Sequence, residues 1–302
     1  MKTILMIATG GTIACRETEN GLCPMLAGEE LHSLLPALGD ICAANVCDLI
    51  RLDSTDLTLA DRMAIARTVW NSRARYDGFV IAHGTDTLAY TAALLHHVLR
   101  NFDRPVVLTG SMLPMGAPGS DAPRNLLDAF RVASADAAGV LAVLHGSIML
   151  GWCVSKRHST AIDAFYSVSA PPAGEIDADG RICWHSRPRP AGVPVFIEPE
   201  EMGVPVIRLT PDLPPAFLER LCGCPRVILA AYGAGGIPIR LEPAVRMLIE
   251  SGTRIYLTTQ CPAGGVDLHR YAVGRRAEAM GAISLGARTI EDAIAAMLCG
   301  EI

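Results

Sequence analysis

The chain has 302 residues, half of them hydrophobic, and a net charge of −5 with its lysines and arginines dispersed. That length suffices for one large domain or two ordinary ones; the basic residues make no footprint for nucleic acid, and no stretch is long and uncharged enough to span a membrane. Ten cysteines without paired spacing fit a reducing compartment, and Cys222-Gly-Cys224 is too short for a zinc knuckle, so a structural metal is not expected.

The opening MKTILMIATGGT carries one lysine and a short apolar run, which Gly10-Gly11-Thr12 end too early for a secretion signal. It reads as a first strand, and the protein as cytoplasmic. Strand-like runs then recur before glycine or polar turns, at Ile4–Ala8, Asn45–Leu52, Gly78–Ala82, Pro105–Thr109 and Gly139–Leu144. Helical patterns lie between them, at Glu29–Leu35, Leu59–Arg75, Leu88–Arg100 and Ala122–Ala135. This alternation predicts an α/β fold with a parallel sheet covered on both faces. Gly174–Trp184, with Asp179-Gly180 inside it, reads as a β-hairpin. Five prolines between Arg187 and Pro205 predict an interdomain linker. Alternation resumes with strands at Val206–Leu209, Val227–Ala231 and Arg254–Thr258, and helices at Pro215–Leu221, Glu242–Ser251, Ala272–Met280 and Thr289–Leu298. The expected organisation is a larger domain over residues 1–186, a linker over 187–205 and a smaller α/β domain over 206–302.

Four segments carry candidate chemistry. Paired glycines directly after strand one let backbone approach closely and leave N–H groups for an anion, with the Thr12 hydroxyl beside them. The spacing is neither a dinucleotide fingerprint nor a phosphate loop, so a nucleophile next to an oxyanion hole is the better reading. Asp53-Ser54-Thr55 closes the next strand, where a plain helix cap competes with a binding role. The run Phe79–Leu95 is a buried strand stopped by His83-Gly84. Thr85 and Asp86 follow at a helix start, where capping is again the bland alternative. Lys156 follows a strand-like Ile148–Val154. A lysine partly withdrawn from water beside a hydroxyl and a carboxylate can activate a nucleophile or a water.

Taken together, TGGTIA, LDSTD, VIAHGTDT and a lysine some seventy residues beyond resemble the bacterial-type L-asparaginase/glutaminase family. The resemblance continues through PVVLTGS, DAPRNLLDA, AYGAGGIP and TTQCPAGG. It implies hydrolysis of the side-chain amide of asparagine through an acyl-enzyme on Thr12. Thr85, Asp86 and Lys156 would form an assisting hydroxyl–carboxylate–lysine set. Gly11, Asp53, Ser54, Thr55, Gly84, Thr85 and Asp86 would contact an amino-acid substrate. A homodimer or homotetramer without metal or organic cofactor is implied as well. Because TGGTIA begins nine residues into the chain, the amidotransferase-subunit version of the family is disfavoured.

The sequence departs from the family pattern at three places. Leu22 stands where a tyrosine of the segment after TGGTIA is usual, Gly236 where an asparagine is, and Trp152 where an arginine often precedes the lysine. Cys15–Met25, polar and without period, is expected to be a mobile lid. Glutamine or a D-amino acid is an alternative substrate, and a non-catalytic amino-acid-binding regulator is the rival outside enzymology. His83 reads as a hydrogen-bonding orienter rather than a base, and His96, His97, Cys261 and Tyr232 as structural.

Overall fold

The computed structural model describes every residue except Asn20 and Met25, and gives the backbone alone for Glu17, Thr18, Leu22, Cys23 and Pro24. Two compact units divide the chain, Met1–Glu200 with Ala295–Ile302, and Glu201–Ile294.

The first unit is built on strands β1 (Thr3–Gly10), β2 (Ala43–Leu52), β3 (Gly78–Ala82), β4 (Pro105–Thr109), β5 (Gly139–Leu144) and β6 (Ser147–Leu150). A separate two-stranded hairpin follows, β7 (Val154–Lys156) and β8 (Phe165–Ser167), and then β9 (Gly174–Ile176) and β10 (Ile182–Trp184). All but the β7–β8 pair form one eight-stranded sheet in the order β10-β9-β6-β5-β4-β3-β1-β2. Strands β1 to β5 are parallel, and the remaining pairings antiparallel.

The parallel strands read as unbroken apolar runs because both of their faces are covered. Val80, Ala82 and Val107 share a core with Leu126 and Phe130 of helix Ala122–Ala133. On the other face Phe79 stacks on Phe102 at 6.0 Å, and Phe102 meets Trp70 of helix Leu59–Ser72 at 6.2 Å. Burying one such aromatic ring stabilises the fold by about 1.5–3 kcal/mol.

Helix Leu59–Ser72 starts on a capping box, in which the Thr58 hydroxyl accepts from Asp61 N–H and the Asp61 carboxylate accepts from Thr58 N–H. The next helix, Leu88–Val98, ends two residues before the expected Arg100. There Leu99–Arg100 leave the helix to pair with Val195–Phe196, and Asn101 turns the chain at φ 56°.

The expected linker is therefore tied to the first unit over most of its length. Ala138 N–H donates to Pro188 O at 3.2 Å and Ile197 N–H to Val98 O at 2.9 Å. Proline removes single donors but leaves its neighbours free to pair, so a proline-rich stretch can still run as an edge strand. The division between units falls at Glu200, and the last residues return to the first unit, where Glu301 pairs with His97 and Arg100.

Cys15–Thr18 pairs antiparallel with Gly21–Pro24, so the backbone expected to be aperiodic is a short hairpin. The Leu22 side chain lies outside the described residues.

The second unit carries a parallel sheet of Val206–Arg208, Arg226–Ala231, Arg254–Thr259 and Ile283–Ser284, in that order. Val227, Leu229, Ile255 and Leu257 pack with Val245 and Leu248 of helix Glu242–Glu250. The two-residue strand Ile283–Ser284 has no apolar run to announce it. No helix among the described residues is long and apolar enough to cross a membrane.

Candidate active site

The carboxyl ends of β1, β2 and β3 lie side by side, the crevice where open parallel sheets bind ligands. Gly11 leaves β1 at φ 76° and donates to Leu52 O at 3.0 Å, which joins its loop to the end of β2. A Cβ at Gly11 would collide with the backbone of Gly84, and one at Gly84 would lie 2.6 Å from Ser54 Cβ. Glycine is required at both positions by this close approach. The contacts bring Gly11-Thr12, Asp53-Ser54-Thr55 and Gly84-Thr85-Asp86 to one place.

Asp53 and Ser54 divide the work of their turn. Asp53 Oδ1 accepts from both the N–H and the hydroxyl of Thr55, each at 2.8 Å, and so caps its own short helical turn. Ser54 is 3% exposed and lies against Gly84. Its carbonyl is held by the Thr87 hydroxyl at 2.8 Å.

Thr85 and Asp86 do not cap the helix they precede. The N-cap is Thr87, whose side chain makes no capping bond to the helix, and Thr85 and Asp86 turn to another partner. That partner is Lys156, whose Nζ donates to Thr85 Oγ1 at 2.9 Å and to Asp86 Oδ1 at 2.6 Å. Thr85 is 4% exposed, whereas the side chains of Lys156 and Asp86 are 16% and 58% exposed. The ammonium thus sits in the wall of the site, with the carboxylate at its rim. The expected strand Ile148–Val154 is broken by a turn at 151–153, and Lys156 stands at the end of the first strand of the separate hairpin.

The Thr12 hydroxyl has no hydrogen-bond partner among the described residues, and neither Thr12 N–H nor Thr85 N–H has an acceptor there. A free hydroxyl beside free backbone donors can attack a carbonyl while the N–H groups hold the developing oxyanion.

His83 is wholly buried between these loops. Its Nδ1 lies 2.7 Å from Gly84 O, and its Nε2 2.9 Å from Thr91 Oγ1. Burial drives its pKa down to about 4, aided by the charge of Arg62 and opposed by the Gly84 bond. The ring is neutral at pH 7, and since a carbonyl only accepts, Nδ1 carries the proton and Nε2 accepts from Thr91. Fixing the Gly84 carbonyl also fixes the opposite face of that planar peptide, the Thr85 N–H.

Sequence reasoning missed the polar supports behind these loops. Asn125 donates to Gly110 O at 2.9 Å and accepts from His145 N–H at 2.9 Å, while Asp121 accepts from Met112 N–H at 3.0 Å. Thr91 and Asn125, lone polar residues on buried helix faces, were the available signal. Among the described residues no group of three His, Cys, Asp or Glu is placed to hold a metal ion.

Comparison with known proteins assigns the family. The family model described as "Asparaginase, N-terminal" matches residues 3–189, and "Glutaminase/Asparaginase C-terminal domain" matches residues 203–299. An L-asparaginase of Thermococcus kodakarensis is 40% identical over 292 residues, covering 95% of this chain and 89% of that protein. L-asparaginase 1 of Escherichia coli is 32% identical over 306 residues, covering 96% of this chain and 89% of that protein. The solved structure of the thermostable L-asparaginase from Thermococcus kodakarensis superposes with a TM-score of 0.91 at 39% identity, over 98% of this chain and 92% of that one. With both domains matched and such relatives spanning nearly its full length, the chain belongs to the asparaginase/glutaminase family.

Proposed function

We propose that the protein hydrolyses the side-chain amide of L-asparagine to L-aspartate and ammonia. The observation that carries the reading is Lys156 bridging Thr85 and Asp86 in a crevice where Gly11 touches Gly84. Thr12 Oγ attacks the amide carbon, and the N–H groups of Thr12 and Thr85 receive the oxyanion. The hydroxyl proton leaves with ammonia, giving an ester on Thr12. Water then attacks that ester, aspartate departs and Thr12 regains its proton. The Thr85–Lys156–Asp86 set supplies a positive charge and a hydroxyl beside the reacting atoms. Ser54 and the exposed edge of Asp86 offer groups for the amino-acid end of the substrate, the carboxylate facing its ammonium. Asp53 and Thr55 shape that subsite mainly by holding Ser54 in its turn.

The hydroxyl of Thr12 acts in the transition state rather than in docking, so Thr12→Ala should abolish turnover and leave aspartate binding intact. An ammonia-release assay paired with calorimetry tests this. If Thr12→Ala kept more than about a tenth of wild-type activity, a loss far below the ~10²–10⁴ of one catalytic group, Thr12 would not be the nucleophile. We further infer that the protein is cytoplasmic and works as a homodimer or homotetramer. A fully active monomer in sedimentation at micromolar concentration would refute that assembly.

A further inference from the structure

Lys156 ends a strand of three residues, β7, which among the described residues pairs only with the equally short β8, with Lys156 opposite Phe165. Beyond it the hairpin crosses a tip of residues 157–164 with no regular structure. Common hairpin loops have two to five residues, and each ordered residue costs about 1–2 kcal/mol of backbone entropy. A tip of this length holds its shape only through internal ties. At its base the N–H groups of Arg157 and His158 both reach Ala164 O, at 2.7 and 3.3 Å. Arg157 pairs with Asp163 and lies 5.9 Å from the Tyr166 ring. At its apex the tie is His158, whose Nδ1 accepts from Thr160 N–H at 3.0 Å and Ala161 N–H at 2.9 Å, with the Thr160 hydroxyl at 3.4 Å.

We infer that His158 is a positioning residue for Lys156, its unprotonated Nδ1 folding the hairpin tip so that the lysine reaches Thr85 and Asp86 together. A four-carbon lysine side chain has no preferred direction of its own. Where its ammonium sits is decided by the backbone beneath it, and here that backbone is two residues from the His158 tie. Two N–H groups converging on one lone pair also dictate which side chain can do the work. Asn places Oδ1 where His places Nδ1, whereas Gln carries its oxygen one bond further out. This inference rests on the role given to Lys156 above.

The test uses the full chain as wild type, His158→Ala, His158→Gln and His158→Asn. Measured are kcat and KM for asparagine, Tm, and a crystal structure of the Ala variant. With the tip untied, kcat should fall by about tenfold or more in the Ala and Gln variants, since small misplacement of an acting group is costly. KM should change by less than about threefold, Tm should hold because the tip is exposed, and His158→Asn should restore kcat to within about threefold. The Lys156 ammonium of the Ala variant should no longer reach both Thr85 Oγ1 and Asp86 Oδ1. Wild-type kcat in His158→Ala, an Asn variant as impaired as Ala, or an unmoved Lys156 would each overturn the inference. If the wild type itself released no ammonia from asparagine, the function would be misread, and the crystal structure would still decide whether His158 places Lys156.

Discussion

Replacing Lys156 by Met separates what the ammonium does for stability from what it does for chemistry. Its two acceptors are unequally placed, because Thr85 Oγ1 is buried at 2.9 Å while the Asp86 carboxylate, at 2.6 Å, is more than half exposed. Losing the first leaves a buried hydroxyl without its partner, at a cost of about 1–3 kcal/mol. Losing the second costs close to nothing, since water resolvates an exposed carboxylate and exposed pairs contribute at most about 1 kcal/mol. For a unit of this size 1 kcal/mol moves Tm by roughly 2–4 °C, so Lys156→Met should melt only several degrees lower. Turnover should fall far more, by ~10²–10⁴, if the group acts on the reacting atoms. Lys156→Arg then splits the two chemical roles, because a guanidinium keeps the charge but does not accept a proton. Steady-state ammonia release at saturating asparagine, beside calorimetric melting of the same samples, reads both quantities. A Met variant with kcat within about threefold of wild type would refute the catalytic role, and near-normal activity in the Arg variant would rule out proton acceptance.

Gly84→Ala should cost about 1–3 kcal/mol from overpacking and most of the activity, because its methyl would lie 2.6 Å from Ser54 Cβ and 3.1 Å from Gly11 Cα. A stable, fully active Gly84→Ala enzyme in urea titration and assay would mean that the loops need not touch. His83 has a folded pKa of about 4 against 6.5 in the unfolded chain, so the unfolded state takes up the proton first and stability is lost as pH falls from about 6.5 to 4. The loss is roughly 3 kcal/mol, and it should be absent from His83→Asn, so the stability difference between wild type and variant should change by about that much between urea titrations at pH 7.5 and 4.5. An identical pH slope in both proteins would show that His83 is not buried neutral. None of the six tyrosines is expected to take the role of the tyrosine that the family resemblance implies near Leu22, so no Tyr→Phe change should lower kcat by more than about tenfold. A hundredfold loss in any folded variant would identify a displaced tyrosine as an acting group.

Strands and helices of the first unit were legible because a fully covered parallel strand leaves a run such as Phe79-Val80-Ile81-Ala82, and a helix leaves a period of its own. Where tertiary pairing overrides local pattern, the sequence misleads. Leu99–Arg100 continue the helical period of Leu88–Val98, yet they pair with Val195–Phe196 instead. The same pairing turns a proline-rich stretch into part of a packed unit. Gly10-Gly11 could be read as a loop that permits close approach, but nothing local says that the surface approached is Gly84. Thr85 and Asp86 looked like helix caps because their chemistry suits a cap. They are released from that duty only because Lys156, seventy residues away in sequence, is carried to them by a hairpin outside the main sheet. Spacing along a chain reports what one element can bury. It is silent on which loop a flexible cation will reach, and the hairpin tip at His158 is the part of the structure that settles that reach.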